Sequence, residues 1–434
     1  MAVEAIRGYR PKEFIIESLD GSKRIDLTNS IMSIDYFEDI LSPSVSMTVR
    51  VANAYSLINN LPIRGGEKVE IDIETASGDF TKNYGDECMY VYKVSSSDST
   101  RTSEMFTLHL TTKEHFMNET GHVYRRYEGK ISESVKKILS DVLKTTKNID
   151  AEETANAYSF IGSSRKPFNV VTWLCPKSES PQASSSDKDP NGSRREKGTG
   201  TGGYFFFENY DGFNFKSIDS LTSKLQGGGS ADNKKIWRYS YGGKVVKAND
   251  LRNNFEILNF ISDQNIDVRK SLSMGMYNNQ SYLYDPNTHD ITSYTYDIKD
   301  ELKDKKLGRD EGIPVPNDVS AVKSRTIVRT SDNGIMASGG GTDTSGRKPV
   351  DTAKSAARYN LLLTQSLNIL VPCNIKLKVG DVVYCEFPEM SGGRSKEIDL
   401  QTSGNYLVRE LRHHFSANQN TTSLRLMRDS YGVN

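Results

Sequence analysis

Long apolar runs and cysteine are both scarce in this chain of 434 residues, and each scarcity excludes a class of protein. No uninterrupted apolar stretch approaches the ~20 residues that a helix needs to cross a bilayer, so we expect no membrane binding of its own. The first residues lack the basic and apolar segments of a secretion signal, which indicates assembly in a cytoplasm. The four cysteines, Cys88, Cys175, Cys373 and Cys385, have no C-x-x-C spacing. They are therefore expected to be reduced thiols rather than metal ligands.

An excess of charge of one sign is also missing. Lys and Arg together number 56, as do Asp and Glu, so the net charge is zero. Proteins that hold nucleic acid by neutralising its phosphates carry a basic field, which this balance does not provide. The chain is long enough for two to four domains. Its apolar fraction of 36% is low, so many polar residues must lie in loops or wet interfaces.

Catalytic motifs are absent as well. The sequence contains no phosphate-binding loop, no H-E-x-x-H and no G-x-S-x-G. Residues 198–203 match G-x-G-x-x-G, but a dinucleotide site needs a strand before that motif and a helix after it, and neither is indicated. His413 and His414 are neighbours in a predicted strand, so their side chains point to opposite faces and cannot chelate one ion. We therefore expect no catalytic residues, no metal and no cofactor.

Period-two alternation of apolar and polar residues dominates residues 1–112. Val45, Met47, Val49 and Val51 alternate with polar neighbours, and the same pattern recurs at 69–73 and 106–110. Such alternation is typical of strands with one buried face. Because Gly65-Gly66 and Ser77-Gly78 supply turns between these runs, the region is predicted to be an antiparallel β-barrel or sandwich.

Residues 113–225 are predicted to be a mixed α/β domain. Apolar residues at helical spacing between 135 and 143 indicate a helix with Ser132 as its N-cap. A second helix is predicted over 168–174, begun by Pro167. Residues 178–203 are almost devoid of apolar side chains, which predicts a mobile loop. Aromatic runs at 204–207 and 213–215 flank a turn and predict a β-hairpin.

Residues 226–434 are predicted to form a second β region, interrupted by an irregular insertion at about 300–350. Within that insertion, Thr326, Ile327 and Val328 are a candidate short strand, and a helix is predicted over 353–363. Further strands are predicted at 367–371, 375–379, 382–387, 406–411 and 423–427. The fold class is therefore mainly β with α+β: two antiparallel β-barrels plus a mixed α/β domain.

Several stretches, spread in order along the chain, resemble segments of the baseplate hub proteins of contractile-tailed, T-even-like bacteriophages. They are residues 36–40 (YFEDI), 61–69 (LPIRGGEKV), 167–174 (PFNVVTWL), 203–209 (GYFFFEN), 213–221 (FNFKSIDSL), 377–383 (LKVGDVV) and 424–432 (LRLMRDSYG). The order of these segments is more specific than any one of them. The resemblance implies that residues 1–112 and 226–434 are tube-like barrels and that the protein is not an enzyme.

The resemblance also implies a set of partners. A hub of this family is a homotrimer whose six barrels form a pseudo-six-fold ring, which joins the tail tube to the central spike protein. The implied contacts are with that spike, with tail tube or tube-initiator proteins and with other baseplate proteins, while DNA only passes through the channel in transit. The implied location is the virion baseplate, assembled in the bacterial host cytoplasm. The alternative is a tail-associated peptidoglycan hydrolase, although no hydrolase domain is indicated after the second barrel.

One candidate interface comes from these motifs. Tyr36, Phe37, Glu38, Asp39 and Ile40 mix aromatic, acidic and aliphatic side chains between predicted strands. They are interpreted either as an ordinary connecting loop or as a contact between subunits.

A repeated turn gives a second expectation. Both β regions carry a turn glycine just before a Val- or Ile-rich strand, Gly66 in the first and Gly380 in the second. The two regions are therefore expected to form two separate barrels of similar topology.

Overall fold

The computed structural model describes residues 9–53, 63–75, 81–83, 88–99, 104–181, 202–223, 236–242, 255–263, 267–286, 289–298, 323–330, 349–389, 398–417 and 419–430. Within these ranges lie 22 strands and six α-helices, and most strand pairs are antiparallel. The mainly β prediction is thereby confirmed. Among the described residues, no helix is both long and apolar enough to span a bilayer.

The strands are β1 (Tyr9–Glu17), β2 (Arg24–Asp26), β3 (Ile31–Asp39), β4 (Ser46–Asn53), β5 (Lys68–Thr75), β6 (Thr81–Asn83), β7 (Met89–Ser99), β8 (Glu104–Thr112), β9 (Arg126–Tyr127), β10 (Ile149–Ala151), β11 (Phe160–Ile161), β12 (Tyr204–Asn209), β13 (Gly212–Ser217), β14 (Trp237–Ser240), β15 (Asn259–Asp263), β16 (Asn278–Tyr284), β17 (Ile291–Asp297), β18 (Arg325–Thr330), β19 (Gln365–Pro372), β20 (Val382–Glu386), β21 (Gly404–Ser416) and β22 (Asn420–Arg428). The helices are α1 (Lys113–Thr120), α2 (Ile131–Lys137), α3 (Pro167–Leu174), α4 (Ile218–Ser223), α5 (Val268–Ser273) and α6 (Pro349–Leu361).

Two six-stranded units of the same topology make up most of the largest sheet. In the N-terminal unit the strand order is β3-β4-β8-β7-β5-β1, and in the C-terminal unit it is β15-β19-β22-β21-β20-β14. Strands that occupy the same position in the two units also occur in the same order along the chain. One pairing differs, because β1 runs antiparallel to β5 whereas β14 runs parallel to β20. The expected similarity is therefore confirmed for the strand order at all six positions, and the direction of β14 is the one difference.

The turn before β5 and the turn before β20 repeat the same hydrogen bonds. The N–H of Gly66 donates to the carbonyl of Val91 at 2.6 Å, and that of Gly380 donates to Val408 at 3.1 Å. Both glycines have positive φ, +97° and +87°, which disfavours any residue with a Cβ. β7 and β21 each carry a bulge directly after these valines. The two units therefore correspond residue by residue at these turns.

The expectation of two separate barrels is wrong for the described residues. β3 pairs with β21, so both units belong to one 14-stranded sheet. The pairing is available because β21 is long: its first four residues pair with β20, which leaves the rest free for β3. Strands of both units also contribute to one buried cluster. The domain boundaries at 112 and 225 stay predictions.

The mixed region packs α2, α3 and the β12–β13 hairpin around its own buried cluster. The helix begun by Pro167 and the aromatic hairpin are confirmed. The N-cap prediction is wrong, because α2 begins at Ile131 and the Ser132 hydroxyl instead accepts the N–H of Thr154 at 3.3 Å.

The predicted loop at 178–203 is described only at its ends. Ser178 and Ser180 are buried, and the N–H of Gly203 donates to the carbonyl of Ser178 at 3.0 Å. Backbone pairing and burial therefore engage the two ends of this segment, and the mobility of the segment stays a prediction. Residues 182–201 lie outside the described residues.

A smaller third cluster packs α6 against the sheet β17-β16-β18. The strand predicted at Thr326, Ile327 and Val328 is confirmed as part of β18, while most of the remaining insertion lies outside the described residues. The strand predicted at 375–379 is wrong: this segment is a turn region outside the strands, although its apolar side chains are buried.

Candidate assembly interface

The pairing of β3 with β21, which we call the joint, contains the predicted interface residues. Its register runs from Asp39 opposite Glu410 to Ser33 opposite Ser416. Of the five candidates, Tyr36, Phe37, Glu38 and Asp39 lie in β3 and Ile40 follows it directly. The connecting-loop interpretation is therefore wrong. The contacts of this stretch are made within the chain, and a contact with another subunit stays a prediction.

Glu38 ties three segments together on the buried face of the joint. Its side chain is only 3% exposed. One carboxylate oxygen accepts the N–H of Tyr210 and the hydroxyl of Tyr36, both at 2.8 Å, and the other accepts the N–H of Val379 at 2.9 Å. Tyr210 lies in the β12–β13 turn and Val379 in the turn before β20. A single carboxylate therefore fixes both units and the mixed region relative to one another.

The two adjacent histidines of β21 lie on opposite faces, as predicted. His413 is buried, hydrogen-bonds through Nδ1 to the Thr422 hydroxyl at 2.8 Å, and stacks on Tyr36 at 6.1 Å between ring centroids. On the other face, Asp35 accepts from Nδ1 of His414 at 2.6 Å and pairs with Arg412 at 2.9 Å. One face of the joint is thus packed core and the other carries paired charges.

A groove of about 780 Å³ runs along the second face. Its lining comes from β3, β4, β15, β19, β21 and β22 and includes Phe37, Asp39, Ile261, Glu410 and Arg425. Glu410 pairs with Arg425 at 3.2 Å. Burial raises the pKa of Asp39, the N–H of Leu41 opposes this rise, and the nearby Glu410 adds to it. The groove therefore holds two neighbouring carboxylates, Asp39 and Glu410, of which Glu410 is paired with Arg425.

A second buried cluster connects the N-terminal unit to the mixed region. Glu208 accepts hydrogen bonds from the N–H of Val45 and from the Thr112 hydroxyl, both at 3.1 Å. Nζ of Lys147 lies 2.5 Å from Glu208 and 3.1 Å from Glu114. Burial raises the pKa of Glu208 to about 7, against the opposing effect of Lys147. These carboxylates are enclosed and engaged by protein donors, so their geometry suits a structural tie.

Metal-binding geometry is not found in the part of the chain that the structure describes, where no three His, Cys, Asp or Glu side chains gather around a common point. Cys175, Cys373 and Cys385 are buried as free thiols, and Cys88 is half-buried. Burial raises the pKa of the Cys175 and Cys385 thiols, which keeps them protonated and unreactive.

Sequence reasoning singled out residues 36–40 as a loop or a subunit contact and did not indicate their pairing with β21. A charged residue in line with the apolar positions Ile34 and Tyr36 was the available signal, because Glu38 alternates into the core with them and a buried carboxylate needs donors. Nothing local identified those donors, since Val379 is 341 residues away in the chain.

Comparison with known proteins gives one curated relative and several fold neighbours. No family model matches the sequence. The chain is 20% identical, over 98% of its length and 95% of the relative, to the probable baseplate hub protein gp334 of Vibrio phage KVP40. Its fold is similar to a tail protein from Neisseria meningitidis MC58 (TM-score 0.52, 12% identity, 97% of each chain). It is equally similar to the 43 kDa tail protein of prophage MuSo2 from Shewanella oneidensis (TM-score 0.52, 9% identity, 96% of this chain and 98% of that one). By sequence this chain resembles a phage baseplate hub protein, and by fold it resembles phage tail proteins, as its motifs predicted.

Proposed function

We propose that this chain is a structural subunit of a phage tail baseplate, in which three copies form a pseudo-six-fold ring joining the tail tube to the central spike. The observation that carries this proposal is the duplicated β unit, with one topology found twice in a single chain. Three chains then supply six similar units, so a three-fold spike and a six-fold tube can both meet matching surfaces.

The joint supports the proposal by giving a geometry for neighbouring units. Through it, the edge strand of the N-terminal unit continues the sheet of the C-terminal unit, and the two share one core. A contact that joins the edge of one unit to the middle of another is heterologous, and such contacts close into rings when the rotation between units permits. The similarity to a baseplate hub protein over 98% of the chain supports the same assignment.

The proposed partners follow from this position. They are the central spike protein on one face and tail tube or tube-initiator proteins on the other, with other baseplate proteins around the rim. DNA crosses the ring only in transit, and a net charge of zero favours weak retention of a polyanion. The proposed location is the virion tail, after assembly in the host cytoplasm, and the proposed role is structural rather than enzymatic.

Light scattering on the purified chain, alone and with its spike protein, tests the ring. We expect a species of about three times the 48.6 kDa of one chain. A strict monomer or dimer under both conditions contradicts the trimer. Clearing of a peptidoglycan zymogram at the mass of the chain, lost on substitution of one carboxylate, contradicts the non-enzymatic role.

A further inference from the structure

The floor of the groove on the second face of the joint is made of two rows of side chains that cross the strands. In the first row each residue is the ladder partner of the next, in the order Ser46, Phe37, Arg412, Ser423, Leu370 and Asn259. This row passes from β4 to β15 over five strand spacings, which is roughly 24 Å. The groove is therefore long enough for about seven residues of extended chain lying across the strands.

The second row differs in character between its two ends. Its members, again in ladder order, are Asp39, Glu410, Arg425, Asn368 and Ile261. The end at β3 carries the two neighbouring carboxylates. The end at β15 carries Ile261, which is 63% exposed and lies diagonal to Leu370 of the first row. The groove thus has an acidic end and an apolar end, which are four strand spacings or roughly 19 Å apart.

Asp39 has no counter-ion among the residues that the structure describes. The two arginines of the floor are engaged elsewhere, Arg425 with Glu410 at 3.2 Å and Arg412 with Asp35 at 2.9 Å. The N–H of Leu41 donates to the Asp39 carboxylate at 2.8 Å. Burial raises the pKa of Asp39, and the nearby Glu410 adds to this rise. A half-buried carboxylate next to a second carboxylate is complemented by a cation.

We infer that the groove binds an extended segment of a partner protein, which places a Lys or Arg side chain against Asp39 and an apolar side chain against Ile261 and Leu370. Because an extended chain rises about 3.4 Å per residue and alternate side chains face the same way, the two anchoring positions are about six residues apart. Nucleic acid is a poor occupant, since the carboxylates at the acidic end repel phosphate. The groove lies within one chain, so this contact goes beyond the proposed ring and does not depend on it.

Fluorescence polarisation with a labelled peptide tests the inference on the full chain. The probe has seven residues in the inferred pattern, Arg-Ser-Val-Ser-Val-Ser-Leu, and two matched peptides carry Gln or Glu in place of the Arg. We expect the wild-type chain to bind the Arg peptide about tenfold more tightly than the Gln peptide, because a hydrogen bond between charged groups is stronger than a neutral one. The Glu peptide is expected to bind most weakly.

Variants at the two ends of the groove separate charge from apolar contact. Asp39→Asn keeps an acceptor for the N–H of Leu41 but removes the charge, so it is expected to abolish the preference for Arg over Gln. Ile261→Ser is expected to weaken all three peptides by a similar factor. Glu13→Gln, which removes a charge from an exposed position of β1 outside the groove, is the matched control and is expected to bind as the wild type does.

Charge reversal guards against a loss of binding that comes only from misfolding. Asp39→Lys is expected to invert the order of the peptides, so that the Glu peptide binds more tightly than the Arg peptide, and a misfolded chain cannot produce this inversion. Equal binding of the three peptides by the wild-type chain overturns the inference, as does an unchanged preference in Asp39→Asn. Absence of binding of the Arg peptide at about 1 mM also overturns it.

Light scattering on the same samples keeps this result separate from the proposed ring. A trimer that does not discriminate between the peptides overturns the groove assignment and leaves the ring intact. Discriminating binding by a chain that stays a monomer or dimer, with and without the spike, overturns the trimer and leaves the groove assignment intact.

Discussion

Replacing Glu38 by alanine removes the acceptor of three hydrogen bonds from the middle of the joint. The buried N–H of Val379 then has no acceptor, at a cost of about 1–3 kcal/mol. The N–H of Tyr210 and the hydroxyl of Tyr36 lose bonds to a charged group, and water replaces only part of this. We therefore expect Glu38→Ala to lower the free energy of unfolding by about 3 kcal/mol, a large part of the 5–15 kcal/mol typical of a folded protein.

Smaller substitutions at Glu38 and its partner Tyr36 distinguish the contributions of the individual hydrogen bonds. Glu38→Gln keeps one acceptor oxygen but presents an amide donor to a backbone N–H, so we expect about half the loss. Tyr36→Phe removes only the hydroxyl and is expected to cost about 1 kcal/mol. Glu13→Ala, at an exposed position of β1, is the control and is expected to change stability by less than about 0.5 kcal/mol.

Urea unfolding followed by tryptophan fluorescence measures these differences. Trp237 packs against the core shared by the two units and Trp173 against the core of the mixed region. Because Glu38 connects both cores, single-tryptophan versions of Glu38→Ala are expected to unfold earlier with either probe. A loss below about 1 kcal/mol, or a shift confined to one probe, would refute the reasoning that this carboxylate ties the segments together.

Two further predictions concern the second tie and the repeated turn. Burial raises the pKa of Glu208 to about 7 from an ordinary 4.5. Between these two pH values the folded protein keeps a proton that the unfolded chain releases. The stabilisation that comes from this proton is therefore full below about pH 4.5 and is lost as the pH rises through 7. The urea midpoints of wild type and Glu208→Gln should differ in pH dependence over this window, and parallel profiles would contradict the assignment. Gly66→Ala and Gly380→Ala should each cost about 1–2 kcal/mol because both positions have positive φ; a neutral effect at either would show that the two turns are not equivalent.

Local sequence patterns were sufficient for most strands and for the repeated turn. Alternation at 45–51 and 106–110 predicted β4 and β8, because one face of each is core, and Gly66 and Gly380 marked corresponding turns. The segment at 375–379 failed because alternation reports which side chains are buried and not whether the backbone has a strand partner.

Local sequence patterns could not predict which distant strands pair. Asp35 and Arg412 meet across 377 residues of chain, and the choice of β21 as the partner of β3 depends on which edges remain free after each unit has formed. The same limit applies to Ser132, whose hydroxyl is engaged by Thr154 from another segment instead of capping α2. The sequence singled out residues 36–40, but it did not indicate that they lie in a strand paired with β21.

The covalent link between the two units has a consequence for how the protein can vary. In a ring made of single-unit chains, a mutation at the contact between units would alter every such contact at once. Here β3 and β21 belong to one chain, which holds them at high effective concentration whatever the protein concentration. Substitutions in the joint therefore act on the folding of one chain. In the ring proposed above, contacts between chains are encoded by other residues, so selection can adjust folding and association independently.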